Sequence, residues 1–99
     1  MEIKIQSIHF DATEKLQAFI EKKVAKLEKT FEDIQNVEVQ CKVVKPATAQ
    51  NKEVSLTATV PGTTLFVEKV SDTFEEATDL CVDSMRVQLQ KFKEKLRNR

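Results

Sequence analysis

Residues 36–45 read NVEVQCKVVK. Val37, Val39, Cys41 and Val43 point one way, and Glu38, Gln40 and Lys42 point the other. A repeat of two is the pattern of a strand with one face in a core and one in water. Pro46 ends this strand, because proline has no N–H to give to a ladder. After a polar loop over 46–52 the pattern returns: Val54, Leu56, Ala58 and Val60 face inward, and Ser55, Thr57 and Thr59 face outward. Pro61 and Gly62 then form a turn. Gly62 is the only glycine in the chain, so a positive φ is expected there. A further strand, Thr64–Val70, makes the three runs an antiparallel meander.

The flanks complete the layout. Upstream, residues 2–10 form another strand, with Ile3 and Ile5 alternating with Glu2, Lys4 and Gln6. Either Asp11, in a capping box with Glu14, or Thr13 can cap the helix that follows. That helix runs to about Thr30, with Leu16, Ile20, Val24, Leu27 and Phe31 on one face and Phe19 at its edge. Downstream, Ser71 or Asp72 caps a final helix of about 26 residues. Its apolar stripe is Phe74, Ala77, Cys81, Met85, Leu89, Phe92 and Leu96. The order is β-α-β-β-β-α. The first β-α-β unit closes as a right-handed crossover with parallel strands. The expected fold class is α+β: one domain over residues 1–99, with a four-stranded mixed sheet and both helices on one face. This is a double-stranded-RNA-binding-like layout, with a polar outer sheet face.

Composition narrows the chemistry. Sixteen Lys and Arg balance sixteen Asp and Glu, and mean hydropathy is −0.38. No run approaches the ~20 apolar residues of a membrane span, and the N-terminus lacks the charged and apolar regions of a secretory signal. A cytoplasmic location is expected. Cys41 and Cys81 lack metal-ligand spacing and read as buried small hydrophobes. One histidine, His9, builds neither a Ser-His-Asp nor a Cys-His set and reads as structural. No phosphate-cradling glycine loop is present. No enzyme, metal or cofactor is expected.

The zero net charge hides a division. Residues 86–99 hold Arg86, Lys91, Lys93, Lys95, Arg97 and Arg99 against Glu94, a balance of +5, so the remainder carries −5. On the first helix, at ~100° per residue, Lys15, Lys22, Lys26 and Lys29 share one arc, and Lys23 lies between that arc and the core. Glu14, Glu21 and Glu28 lie on a separate stripe. Lysines at a helix C-terminus also complement the macrodipole, by ~0.3–1 kcal/mol. That does not account for the sorted lysines of the first helix, nor for cations on a final helix long enough to overhang the sheet. Two basic stripes on one side of a sheet make a groove suited to phosphates. Without Trp, Tyr or an RNP aromatic pair, shape and backbone charge are the expected mode of binding, rather than sequence readout of single strands.

The segment Lys23-Val-Ala-Lys-Leu-Glu-Lys29 with Ala12-Thr13 before it, and Asp79-Leu-Cys-Val-Asp83 followed by Gln88, Leu89, Lys91, Lys93, Lys95 and Leu96, resemble the two helices of the ribosome hibernation factors. That family comprises hibernation-promoting factor and the ribosome-associated inhibitor also called protein Y. The resemblance spans nearly the whole chain and implies a cytosolic factor that binds the small ribosomal subunit through rRNA, in the mRNA and tRNA channel, and inhibits translation in idle or stressed cells. It implies rRNA contacts at Lys23, Lys26, Gln88, Lys91, Lys93 and Lys95, less consistently at Lys29, with Lys22 and Arg86 in the same basic surface. Val87 stands where the family usually has Arg, and Arg86 is one residue earlier. Ending at Arg99, the chain resembles the short form, without a dedicated dimerisation domain. Two rival readings remain: an RNA-binding module acting off the ribosome, and a protein–protein adaptor docking through exposed Phe92 and Leu96 of its last helix.

Overall fold

A computed structural model describes residues 1–44 and 50–97. Pro46, most of the expected 46–52 loop, and Arg99 lie outside the described residues. The elements are β1 (Glu2–Ile8), α1 (Glu14–Ala25), α2 (Leu27–Thr30), β2 (Asn36–Val43), β3 (Lys52–Val60), β4 (Thr63–Ser71) and α3 (Phe74–Arg97). The strands lie in the order β1-β2-β3-β4, with β1 and β2 parallel and the two later pairings antiparallel. This is the expected mixed sheet with helices over one face.

Register aligns the inward residues in rows across the strands. Ile5 faces Val39, Val39 faces Leu56, and Leu56 faces Val67. The next row is Ile3, Val37, Ala58 and Leu65. Ile20, Val24 and Leu27 from the first helical segment, and Ala77, Cys81, Met85 and Leu89 from α3, close over these rows with no exposed surface. A one-residue slip would turn every row to water, so the core fixes the register. Lys69, on the helix-covered face of edge strand β4, interrupts the third row opposite Val54. An inward-pointing charge on an edge strand discourages pairing with another chain.

Two boundaries differ from the sequence reading, and the choice it left open at the start of α1 is resolved. The first helix breaks at Lys26, where N–H groups bond three residues back, Lys26 to Lys23 at 3.3 Å and Lys29 to Lys26 at 3.1 Å. A 3₁₀-type turn aligns residues three apart, so Val24 and Leu27 enter the core together. Thr13, rather than Asp11, caps α1 by accepting from the Leu16 N–H at 3.1 Å. The cap of α3 is neither Ser71 nor Asp72. Thr73 Oγ1 accepts from the Glu76 N–H at 3.1 Å, and its carbonyl accepts from Ala77. Ser71 is the buried last residue of β4. The Asp72 carboxylate is used elsewhere, holding the Gln50 N–H at 2.8 Å and tying the β2–β3 connection to the start of α3. Gly62 has φ +85°, the positive value that the turn position after Pro61 takes in a type II turn.

Strand directions make α1 and α3 parallel to each other. Three contacts mark the alignment along their length: Phe10 stacks on Phe74 at 4.6 Å, Lys23 pairs with Asp79, and Phe31 meets Phe92 edge-on at 5.5 Å. Both helices therefore end at the same pole of the molecule. α3 has 24 residues, ~36 Å of helix. Its side chains are buried as far as Leu89, half-buried at Phe92 and 43 % exposed at Leu96. The last turn therefore projects past the sheet, giving a long axis of 47 Å against 24 and 18 Å.

Candidate nucleic-acid interface

The parallel arrangement brings the C-terminal ends of α2 and α3 together. Lys29 and Thr30 on one side, and Gln90, Lys93, Glu94 and Arg97 on the other, line an open cleft of about 500 Å³. A neighbouring depression shares Lys29 and Lys93 and adds Glu32 and Asp33. Both helix ends also direct unpaired carbonyls to this pole. Lys29, Lys93 and Arg97 must offset that negative field, and the carboxylates of Glu94, Glu32 and Asp33, before they attract an anion.

Lys91, Lys93, Lys95 and Arg97 of α3 divide between two depressions. Lys91 and Lys95 line a second depression, of about 210 Å³, with Gln88, Leu65 and Phe92. The reason is helical period. Residues four apart share a line, so Lys91 stands with Lys95 and Lys93 with Arg97, while residues two apart differ by ~200°. α3 thus presents one cationic pair towards α2 and another towards the β4 edge.

The remaining expected residues divide further. Lys22, Lys26 and Arg86 are exposed. Lys23 is half-buried, with Nζ 3.4 Å from Asp79 Oδ1 and 5.5 Å from the centre of the Phe19 ring. It is the one residue of the expected set that forms an ion pair among the described residues, so an anion would have to compete with Asp79 for it. Gln88 is half-buried and its Nε2 donates to the Phe66 carbonyl at 2.9 Å. That bond covers a main-chain acceptor of edge strand β4 and locks the Gln88–Lys91–Lys95 line against the sheet.

Arg97 completes the cleft, although the expected contact set omits it. Its membership of the basic run is visible in the sequence, and at ~100° per residue its line on the helix is shared with Lys93 and, three turns back, with Arg86. The adaptor surface is smaller than expected. Phe92 is half-buried against Phe31, which leaves Leu96 as its exposed member. Cys41 and Cys81 are buried free thiols; desolvation pushes them up to about 11 and about 12, and Cys81 Sγ donates to the Val54 carbonyl at 3.0 Å. His9 is exposed at the end of β1 with φ 68°, a backbone turn position. Among the described residues, no three His, Cys, Asp or Glu converge as metal ligands, and no helix is long and apolar enough to cross a membrane.

The model of the Sigma 54 modulation protein / S30EA ribosomal protein family matches residues 3–97. The chain belongs to that family. It is 30 % identical over 95 residues to a ribosome hibernation promoting factor of Pseudomonas putida, covering 96 % of this chain and 89 % of the relative. A protein of the same name from Azotobacter vinelandii is also 30 % identical over 95 residues, covering 96 % and 85 %. The fold matches a ribosomal subunit interface protein from Coxiella burnetii with TM-score 0.85, at 24 % identity over 95 % of this chain and 99 % of that one. It also matches the N-terminal domain of Thermus thermophilus Protein Y with TM-score 0.79, at 22 % identity over 93 % and 99 %. The β-α-β-β-β-α order with two helices over one sheet face is thus the order of the ribosomal subunit interface fold.

Proposed function

We propose that this chain is a ribosome hibernation factor: one cytoplasmic ribosome-binding domain that holds rRNA of the small subunit through its basic pole and blocks the decoding and tRNA channel without catalysis. The observation that carries the reading is the gathering of Lys29, Lys93 and Arg97 around one cleft at the shared C-terminal end of the helices, in a chain of the S30EA family. Lys91 and Lys95 add a second cationic line on the far flank of α3. Lys22, Lys26 and Arg86, exposed and spread along the two helices, extend the surface that phosphates can reach. Lys23 and Gln88 contribute where their present partners, Asp79 and the Phe66 carbonyl, can be shared or exchanged. Binding of this kind draws its energy from counterions released from the RNA. It needs no bound group and no bond making, and competition for space is enough to stop translation.

Cosedimentation with purified 30S subunits and 70S ribosomes at two salt concentrations tests the proposal. The protein should travel with both particles at low salt and leave them as salt rises, and its addition to a cell-free translation system should lower yield with rRNA intact. Binding to free RNA but to neither particle would favour a module acting off the ribosome. Binding unaffected by nuclease and salt would favour an adaptor.

A further inference from the structure

The depression between β4 and α3 has a different character from the cleft between the helices. Its inner wall is apolar and half-buried, Leu65 and the Phe92 ring, whereas Lys91 and Lys95 stand exposed at its edge. The ring is fixed from behind, where Phe31 meets it at an interplanar angle of 87°. The Gln88 amide is fixed as well. One of its N–H groups is spent on the Phe66 carbonyl, which leaves Oε1 and the second N–H free to pair. The space, about 210 Å³, is below the ~300–1,000 Å³ of pockets for drug-sized ligands and suits a single heteroaromatic ring system.

An apolar and aromatic wall, an oriented amide and two cations one helical turn apart are the parts needed to hold one unpaired nucleotide. A π-face packs on the wall, a base edge meets the amide, and the flanking phosphates meet the lysines. A phosphate-only site has no use for Leu65 and Phe92, and an apolar peptide site has no use for the lysine pair. We infer that this depression takes a single unstacked base of a single-stranded RNA segment, while the cleft at Lys29, Lys93 and Arg97 takes backbone phosphates alone. The inference rests on the RNA-binding reading and assigns the two depressions to two different features of the RNA.

The test uses the full chain and three labelled probes: a short single-stranded RNA, the same strand with abasic sites, and the corresponding duplex. Single strand should bind more tightly than abasic strand by on the order of tenfold, the range expected for stacking one base, and more tightly than duplex. Phe92→Leu keeps an apolar residue in the core and should remove most of that preference while abasic binding stays as it was. Lys93→Gln should weaken all three probes alike. Because Phe92 also packs on Phe31, melting of the Phe92→Leu variant is measured alongside. If that variant does not fold, a 2-aminopurine reporter in the single strand replaces it, and its fluorescence should drop on binding to the wild-type protein. Equal affinity for base-bearing and abasic strands, or an unchanged reporter, overturns the base site and leaves the phosphate reading standing. Failure of all three probes to bind overturns both.

Discussion

Cys41 and Cys81 meet at one residue. Cys41 is the cross-strand neighbour of Val54, and Cys81 donates to the Val54 carbonyl from the helix above. Both thiols are pushed well above the ordinary value of 9.0, to about 11 and about 12, chiefly by desolvation. For a thiol, a raised value means that the folded state holds its proton where the unfolded chain would lose it. The contribution to stability is therefore full below pH ~9 and lost as pH rises towards 11 and 12, by ~1.4 kcal/mol per pH unit for each thiol. Urea melts at pH 8 and pH 10 should show this fall, and Cys81→Ala should flatten it whatever the variant costs at pH 8. An unchanged pH slope would mean that other groups set it. One row along the same strand from Cys41, Val39 is fully buried in the middle of its row. Val39→Asp places an unpaired charge there and should cost ~3 kcal/mol or more in a thermal or urea melt. These inward residues were legible from alternation alone. The cap of α3 was not: Ser71, Asp72 and Thr73 are all residue types that can cap a helix, and they are separated by the burial of Ser71 at the end of β4 and the claim of Gln50 on Asp72. Thr73→Ala should lower stability by ~1 kcal/mol, and Ser71, whose side chain plays no capping part, is the matched control.

At the scale of elements, the charges of α3 show what one-dimensional reading can and cannot reach. The basic run and the overhang follow from composition and length. The division of its cations follows from period, since Lys91 with Lys95 and Lys93 with Arg97 lie on two lines facing different neighbours. Which neighbour each line meets depends on where the sheet edge and α2 lie, and no local pattern states that. The same holds for Lys23, whose partner Asp79 is 56 residues away in sequence, on another helix. This pair is part-exposed, so Asp79→Asn should shift stability by no more than ~1 kcal/mol. Its larger consequence is for binding. It frees Lys23 for phosphate, so ribosome affinity should rise and the salt dependence steepen by nearly one contact. If affinity fell or stayed level, Lys23 would be a structural residue, held by the Phe19 ring and unavailable to RNA. The macrodipole account of the basic tip can be tested on the same element. It expects Lys91→Gln and Lys93→Gln to cost a few tenths of a kcal/mol of stability and to leave binding intact. The phosphate account expects each to lower affinity at low salt and to reduce the salt slope by nearly one unit.

For the whole molecule, the decisive fact is that α1 and α3 run parallel. The N-terminal turns of α1 and α3 place Glu14, Glu75 and Glu76 at one pole, and the C-terminal ends of α2 and α3 place Lys29, Lys93 and Arg97 at the other. A protein with no net charge thereby acquires a basic end and an acidic end on an axis of 47 Å. Phosphates at one pole do not feel carboxylates at the other, because the separation exceeds several Debye lengths of ~8–10 Å at physiological salt. The total charge therefore says little about affinity for RNA. If Lys29, Lys91, Lys93, Lys95 and Arg97 each meet a phosphate, the log of the ribosome affinity should fall against log salt with a slope of roughly −3.5 to −4.5, a loss of a few hundredfold between 50 and 200 mM. Position, rather than charge count, should govern how acids modify that line. Glu94 lines the same cleft as Lys29, Lys93 and Arg97, so Glu94→Gln should tighten binding several-fold at low salt. Glu75→Gln and Glu76→Gln together remove twice the charge from the far pole and should leave affinity and slope where they were. Equal gains from both changes would mean that net charge sets the affinity and that the basic pole has no special part. A flat slope in the wild-type protein would remove the phosphate contacts altogether.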